Sequence, residues 1–334
     1  MLADIKVGIL GAGGIAKLHT SILKRDPRVE IIGVADIDEG RSASLANEAG
    51  NAKPVKTLEE LFELGVEAVY VTLPNTLHVE SVLKCLENNV NVFSEKPMAT
   101  SSIDAAKIKE AASKSKGVYN LGMNQRYAYV FKKVKDVMVS GEFTPFLANI
   151  KLNRGELLNP SWTANPQVTG GFLNETPIHL LDLSRYLFGE VQTVKCEGRQ
   201  NISETEMDTF AIMLTYESGI IANFVTYAHA GWSFPFESME VYGKYSTITT
   251  HEFDRVMYSP GLHQPAQVSE FFQVGVDHKW GYVEENRLYI DAILNSTQPP
   301  VTAEDGYLTT RLVEAVYESA KTGEVIDFRQ TLSK

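Results

Sequence analysis

The stretch from Ile5 to Asp36 limits what this chain can fold into more than any other. Ile5 to Leu10 is a short apolar run, as expected of a strand buried on both faces. Gly11-Ala12-Gly13-Gly14-Ile15-Ala16 follows at once. A helical pattern comes next, with Ile15, Leu18, Ile22 and Leu23 apolar at three- and four-residue spacings. A second apolar run, Val29 to Ala35, ends in Asp36. The order is strand, glycine turn, helix, strand, acid. Gly11 permits the tight turn, and Gly13 lets the backbone approach a pyrophosphate. Ala16 takes the third small position, where helix and strand pack closely. The N–H groups opening the helix, around Gly14 and Ile15, then face the phosphates. Asp36 lies 36 − 16 = 20 residues beyond Ala16, the place of a carboxylate that bonds a ribose 2′-hydroxyl. A 2′-phosphate there would meet like charge, so the pattern favours NAD over NADP.

A chain of 334 residues points to about two domains. The formal charge of −11 leaves no basic excess for nucleic acid and disfavours anionic membrane surfaces. No apolar run is long enough to span a bilayer, and the early strand leaves no room for a signal peptide. Cys85 and Cys196 sit in periodic segments and read as small core residues in a reducing cytoplasm.

Beyond Asp36 the strand–helix alternation continues. Asp38 caps a helix from about Glu39, and Thr57-Leu58-Glu59-Glu60 is a capping box. Ala68 to Leu73 and Val90 to Phe93 are buried strands, and Tyr119 to Met123 is the next. Asn75 or Thr76 caps the helix that follows the first of these. The pattern implies a doubly wound parallel sheet over residues 1–124. Right-handed crossovers put the carboxyl ends of the strands on one edge, where ligands bind. Its candidates are Gly11, Gly13, Gly14, Ile15, Asp36, Thr72, Pro74, Asn75, Glu95, Lys96, Asn124 and Arg126. Lys96 has two readings. Pinned by Pro97 at the end of a buried strand, it is a lysine of lowered pKa that exchanges a proton with a substrate hydroxyl. Alternatively it is a surface lysine paired with Glu95.

From residue 125 to 334 the character changes to an α+β domain. Ala148, Ile150 and Leu152 alternate with polar residues, as do Val194, Cys196 and Gly198, and Phe210, Ile212 and Leu214. Short turns such as Glu217-Ser218-Gly219 and Gly243-Lys244 join these strands, which implies antiparallel pairing with helices on one face. Val225, Tyr227, Met239 and Val241 leave the other face partly apolar, which suggests burial by a second subunit. Asn174 is placed to cap a helix in which Glu175, His179 and Asp182 share one face. Such a row is a proton-handling site, a metal site or a salt-bridged core histidine. Metal is disfavoured because the other histidines (19, 78, 229, 251, 263 and 278) are scattered. Trp162, Trp232 and Phe234 are aromatics that either stack on a ligand or fill a core.

The Gly11–Ala16 fingerprint, Thr72-Leu73-Pro74-Asn75-Thr76-Leu77-His78, Glu95-Lys96-Pro97, and Gly170-Gly171 through His179 and Asp182 appear in that order. Together they resemble the glucose–fructose oxidoreductase / inositol dehydrogenase (Gfo/Idh/MocA) family along essentially the full chain. The resemblance implies a Rossmann domain followed by an α/β domain whose large, open-faced, mainly antiparallel sheet makes a homodimer or homotetramer. It implies NAD(P)-dependent oxidation or reduction of a sugar or cyclitol, with Lys96 and His179 catalytic and Glu175 orienting or charging the pair. It adds His78 and Trp162 to the cofactor-binding set, and Lys96, Trp162, Glu175, His179 and Asp182 to the substrate-binding set. Glu175 stands where the family often has an aspartate, and Pro177 where a glycine is common. Two other activities are known in the family. One is glycoside cleavage with transient use of bound NAD, and the other is dinucleotide-sensing regulation.

Overall fold

The computed structural model describes residues 5–155, 157, 161–231 and 235–331, and for 161, 162, 330 and 331 the backbone alone. The chain divides into two units. The first is Met1–Met123 with Tyr282–Thr310, and the second is Asn124–Gly281 with Arg311–Lys334.

In the first unit, β1 (Ile5–Leu10), β2 (Val29–Ala35), β3 (Lys53–Val55), β4 (Ala68–Val71), β5 (Asn91–Ser94) and β6 (Tyr119–Leu121) form one sheet in the order 3-2-1-4-5-6. Every neighbouring pair is parallel. Leu10 lies level with Ala35 and Val71, and Val71 with Ser94, so the strands end along one edge. β4 is buried at all four positions, as a strand covered on both faces must be. The local signals for helix starts act as read. Asp38 accepts from the N–H groups of Gly40 and Arg41, and both halves of the Thr57–Glu60 capping box form. After β4 the chain instead makes a 3-10 turn, Asn75–Leu77, and enters helix His78–Glu87 with no side-chain cap.

The change of pattern at residue 125 groups residues 125–334 together, but Tyr282–Thr310 packs in the first unit. Tyr289 and Ile290 of helix Tyr282–Asn295 join the core of β1, β4 and β5, with the Tyr289 ring edge-on to Tyr70 and Phe93. Helical periodicity marks a face to be buried and does not say against which sheet.

The second unit is built on β7 (Leu147–Asn153), β8 (Val191–Arg199), β9 (Thr209–Tyr216), β10 (Ile221–Tyr227), β11 (Glu237–Tyr242), β12 (Thr247–His251), β13 (Arg255–Ser259), β14 (Gln267–Glu270) and β15 (Ile326–Asp327). Their order is 14-13-12-11-7-10-9-8-15. The pairing is antiparallel except between β7 and β10, which run parallel with Leu147 level with Ile221. Alternation fixes which side chains share a face and leaves strand direction open. The inward face carries Ala148, Ile150, Leu152, Ile212, Leu214, Ala222 and Phe224, all buried. The other face exposes Leu147, Met213, Ile221 and Val225, each 39–45% accessible.

Candidate active site

The glycine turn follows β1 at the centre of the parallel sheet. Gly11 has φ +94°, and a Cβ on it would stand 2.6 Å from the Thr72 carbonyl oxygen, so only glycine fits. The Thr72 hydroxyl donates to the carbonyls of Leu10 and Gly11 at 3.0 and 2.9 Å, fastening the turn to the end of β4. Helix Gly14–Leu23 opens at Gly13 with no side-chain cap and no acidic residue in its first turn. A Cβ on Gly13 or Gly14 would meet nothing within 4 Å. Uncapped N–H groups therefore face open space at the positive end of a helix, which fits a pyrophosphate. Asp36 directly follows β2 and accepts the N–H of Ala12 and of Asp38, both at 2.8 Å. Its carboxylate is held against the turn, which fits a ribose hydroxyl. Ile37 beside it is 94% exposed.

At the ends of β4 and β5 the structure separates the candidates. Lys96 is half-buried, ahead of Pro97 across a cis peptide bond. Glu95 is buried and faces inward, its Oε1 2.9 Å from His19 Nε2. The fully buried His19 meets Asn286 through Nδ1 and lies among the rings of Tyr70, Phe93 and Tyr282. A chain of polar contacts thus runs from helix Tyr282–Asn295 through the fingerprint helix to the residue next to Lys96. Asn75 is also buried. His78, expected at the cofactor, is buried with both ring nitrogens 2.8 Å from carbonyls, Pro97 on one side and Leu73 on the other. Burial lowers its pKa, outweighing the two carbonyls, which favour the charged ring. It braces the two loops from beneath.

In the second unit, helix Pro177–Phe188 begins at Pro177, with Thr176 before it and a 3-10 turn over Phe172–Asn174. Glu175 therefore lies outside the helix, and the expected row of Glu175, His179 and Asp182 along one helix is not formed. The proline at the first helical position sets that boundary. Asn174 does not cap the helix; its Nδ2 donates to the Gly170 carbonyl at 2.9 Å. Glu175 is buried and His179 half-buried. The 3-10 turn hangs on two groups from below. The Phe172 N–H donates to Glu206 and the Leu173 N–H to the Tyr317 hydroxyl. Burial raises the pKa of Glu206. Gly171, at φ +103°, has no room for a Cβ, which would stand 2.5 Å from that hydroxyl.

Asp182, expected at the substrate, is 1% exposed and grips Arg126 with both oxygens, at 2.6 and 2.7 Å. Arg126, expected at the cofactor, is buried with it and lies over the Tyr186 ring. A bidentate buried pair of this kind fixes the helix to the turn Asn124–Tyr127. Asn124 is buried too, donating to the Trp280 carbonyl at 2.8 Å. The Trp280 ring stacks on Phe253. Trp162 lies in the 3-10 turn Ser161–Ala164. Its side chain, with Trp232 and Phe234, is outside the described residues.

Residues 5–123 match the NAD-binding Rossmann fold of an oxidoreductase family, and residues 129–328 match that family's C-terminal alpha/beta domain. The chain belongs to the Gfo/Idh/MocA family. Among relatives of this Gfo/Idh/MocA protein, the uncharacterized oxidoreductase YrbE of Bacillus subtilis is 26% identical, over 99% of this chain and 98% of its own. Myo-inositol 2-dehydrogenase of Thermotoga maritima is 24% identical, over 98% of this chain and 100% of its own. The structure of levoglucosan dehydrogenase with NADH and L-sorbose matches with a TM-score of 0.88 at 18% identity, covering 98% of this chain and 99% of that one. No helix among the described residues is long and apolar enough to cross a membrane.

The buried polar partners within each unit have no assigned role in the sequence pattern. His19 carried a signal, three residues past Ala16 and hence one helical turn below the phosphate end. Glu206, Glu237, Arg154 and Tyr317 carried none, because only the tertiary fold brings them to their partners.

Proposed function

We propose that this Gfo/Idh/MocA protein interconverts a secondary hydroxyl and the corresponding ketone of a sugar or cyclitol, with NAD favoured over NADP. The observation that carries the reading is Asp36, a carboxylate held by the Ala12 N–H at the lip of an uncapped helix start. There it suits two ribose hydroxyls and repels a 2′-phosphate. The backbone of Gly13, Gly14 and Ile15 holds the pyrophosphate, and Thr72 keeps the turn in shape. When bound, the nicotinamide supplies the hydride acceptor. The protein's share is to orient the polyol and take its hydroxyl proton. Lys96 and His179 are the proton-handling side chains, with Glu175 orienting His179. The family relatives, named for inositol and sugar dehydrogenation, support the substrate class. The open face of the second unit's sheet is the surface for a second copy of the chain, in a homodimer or homotetramer.

The test is a panel of sugars and inositols with NAD and with NADP, followed at the absorbance band of the reduced cofactor. Lys96→Ala should lower kcat by about 10²–10⁴-fold, the usual worth of a general acid–base, with little loss of NAD affinity. Wild-type kcat in that variant would remove Lys96 from the mechanism. No reduced cofactor with any polyol would remove the reaction class.

A further inference from the structure

Glu237 opens β11, with its side chain 1% exposed. It pairs across the strands with Leu152 of β7, so its side chain shares the inward face with Leu152 and with Arg154, two residues on. Diagonal neighbours on one sheet face are within reach of long side chains. Arg154 uses Nη2 to donate to the Thr176 hydroxyl at 3.0 Å, and its guanidinium lies over the Phe236 ring. Thr176 is the residue from which the His179 helix starts. On its other side Glu237 Oε2 accepts from Gln125 Nε2, at a long 3.4 Å. Gln125 adjoins Arg126, which grips Asp182 one turn along the same helix.

Two oxygens at this spot have no donor, Glu237 Oε1 and Gln125 Oε1. A buried acceptor without a donor is costly, and an ionised carboxylate is the costliest. One proton on the Glu237 carboxyl removes the charge and supplies a donor where two acceptors lack one. The charged groups that bear on Glu237 are Arg154 from the end of β7 and Glu252 from the turn after β12, and Gln125 is its polar neighbour. Arg154 favours the ionised form and Glu252 opposes it, and burial outweighs both, pushing the pKa up to about 7.

We propose that Glu237 is a positioning residue whose proton decides how Arg154 holds the start of the His179 helix. With the proton on, Arg154 keeps its bond to Thr176, and Glu175 and His179 are held as seen. With the proton off, the carboxylate competes for the guanidinium and loosens the Thr176 end. The inference rests on the reading of His179 as a proton-handling residue.

The experiment is a carbon-13 NMR titration of the full chain, from about pH 5 to about pH 9. Glutamate Cδ and histidine Cε1 are labelled, with Glu237→Gln and His179→Asn giving the assignments. The Glu237 carboxyl should titrate well above ordinary glutamates. The His179 signal should show, besides its own step, a second inflection at that same pH. Glu237→Gln, which keeps the volume and both polar atoms, should lose the second inflection and leave only the step of His179 itself. A Glu237 carboxyl titrating with the surface glutamates would overturn the proposal. So would a His179 signal without the second inflection in the wild type, or one that keeps it in Glu237→Gln. Should Glu237→Gln not fold, Glu237→Asp gives the same assignment of the carboxyl signal. Neither signal depends on turnover, so failure of the dehydrogenase reading shows only in the substrate panel.

Discussion

Glu237 has no route to solvent for its charge, and this has a consequence for stability. Its folded pKa of about 7 lies above the ordinary glutamate value of 4.5. A group raised in this way contributes stability that is fully present below the unfolded value and is lost as pH rises through the folded one. The gap between 4.5 and about 7 is worth about 3 kcal/mol. Glu237→Gln, neutral throughout, should therefore lose less stability than the wild type between about pH 5 and about pH 8. Urea unfolding at the two pH values measures it, and parallel losses in both proteins would show that Glu237 is ionised in the fold. Asp182 shows the opposite solution. Its charge is buried as deeply but is matched by a bidentate arginine, and removing one partner of such a pair leaves the other uncompensated. Both carboxylates look alike in sequence, because what separates them is the partner that tertiary structure supplies.

At the scale of elements, the second unit's sheet has one face packed and one face bare. Asn149, Lys151, Met213, Ile221, Asn223 and Val225 alternate with core residues on β7, β9 and β10 and point away from the core. A broad, flat, half-apolar face of this kind is the sort that protein association covers. Val225→Glu should place like charges on both copies at a two-fold contact and shift the protein toward monomer. Light scattering after size exclusion reads the mass, and an unchanged mass would move the contact elsewhere. Periodicity told the faces apart on β7 and β9 but not on β11, where Met239 and Val241, expected on the other face with Val225, are buried in the core. It was not enough to reveal the parallel β7–β10 pair, since a strand reads the same against a parallel or antiparallel neighbour. The His179 helix teaches a similar lesson. Proline was tolerated at its first turn as expected, yet that proline is where the helix begins, which left Glu175 outside it.

At the scale of the molecule, cofactor binding is coupled to folding. A dinucleotide that binds only the folded chain should add about 2.7 kcal/mol at a hundred times its Kd. At equal concentrations NAD should raise Tm more than NADP, because Asp36 is fixed against the turn and cannot swing away from a 2′-phosphate without giving up the Ala12 and Asp38 N–H groups. Equal shifts in a thermal melt would remove Asp36 as the discriminator. The sequence by itself determined the dinucleotide fold, the edge along which its strands end and the lysine after the fifth strand. These depend on local order: a glycine where φ must be positive, a small residue one turn later, an acid at the end of the next strand. The tertiary structure alone decided that Arg126, Asp182 and His78 hold the scaffold, that the helix from Tyr282 belongs to the first unit, that His19 meets Glu95 and that Glu237 is buried. A buried polar group is defined by partners far away in the chain, and nothing in its local sequence records which ones they are.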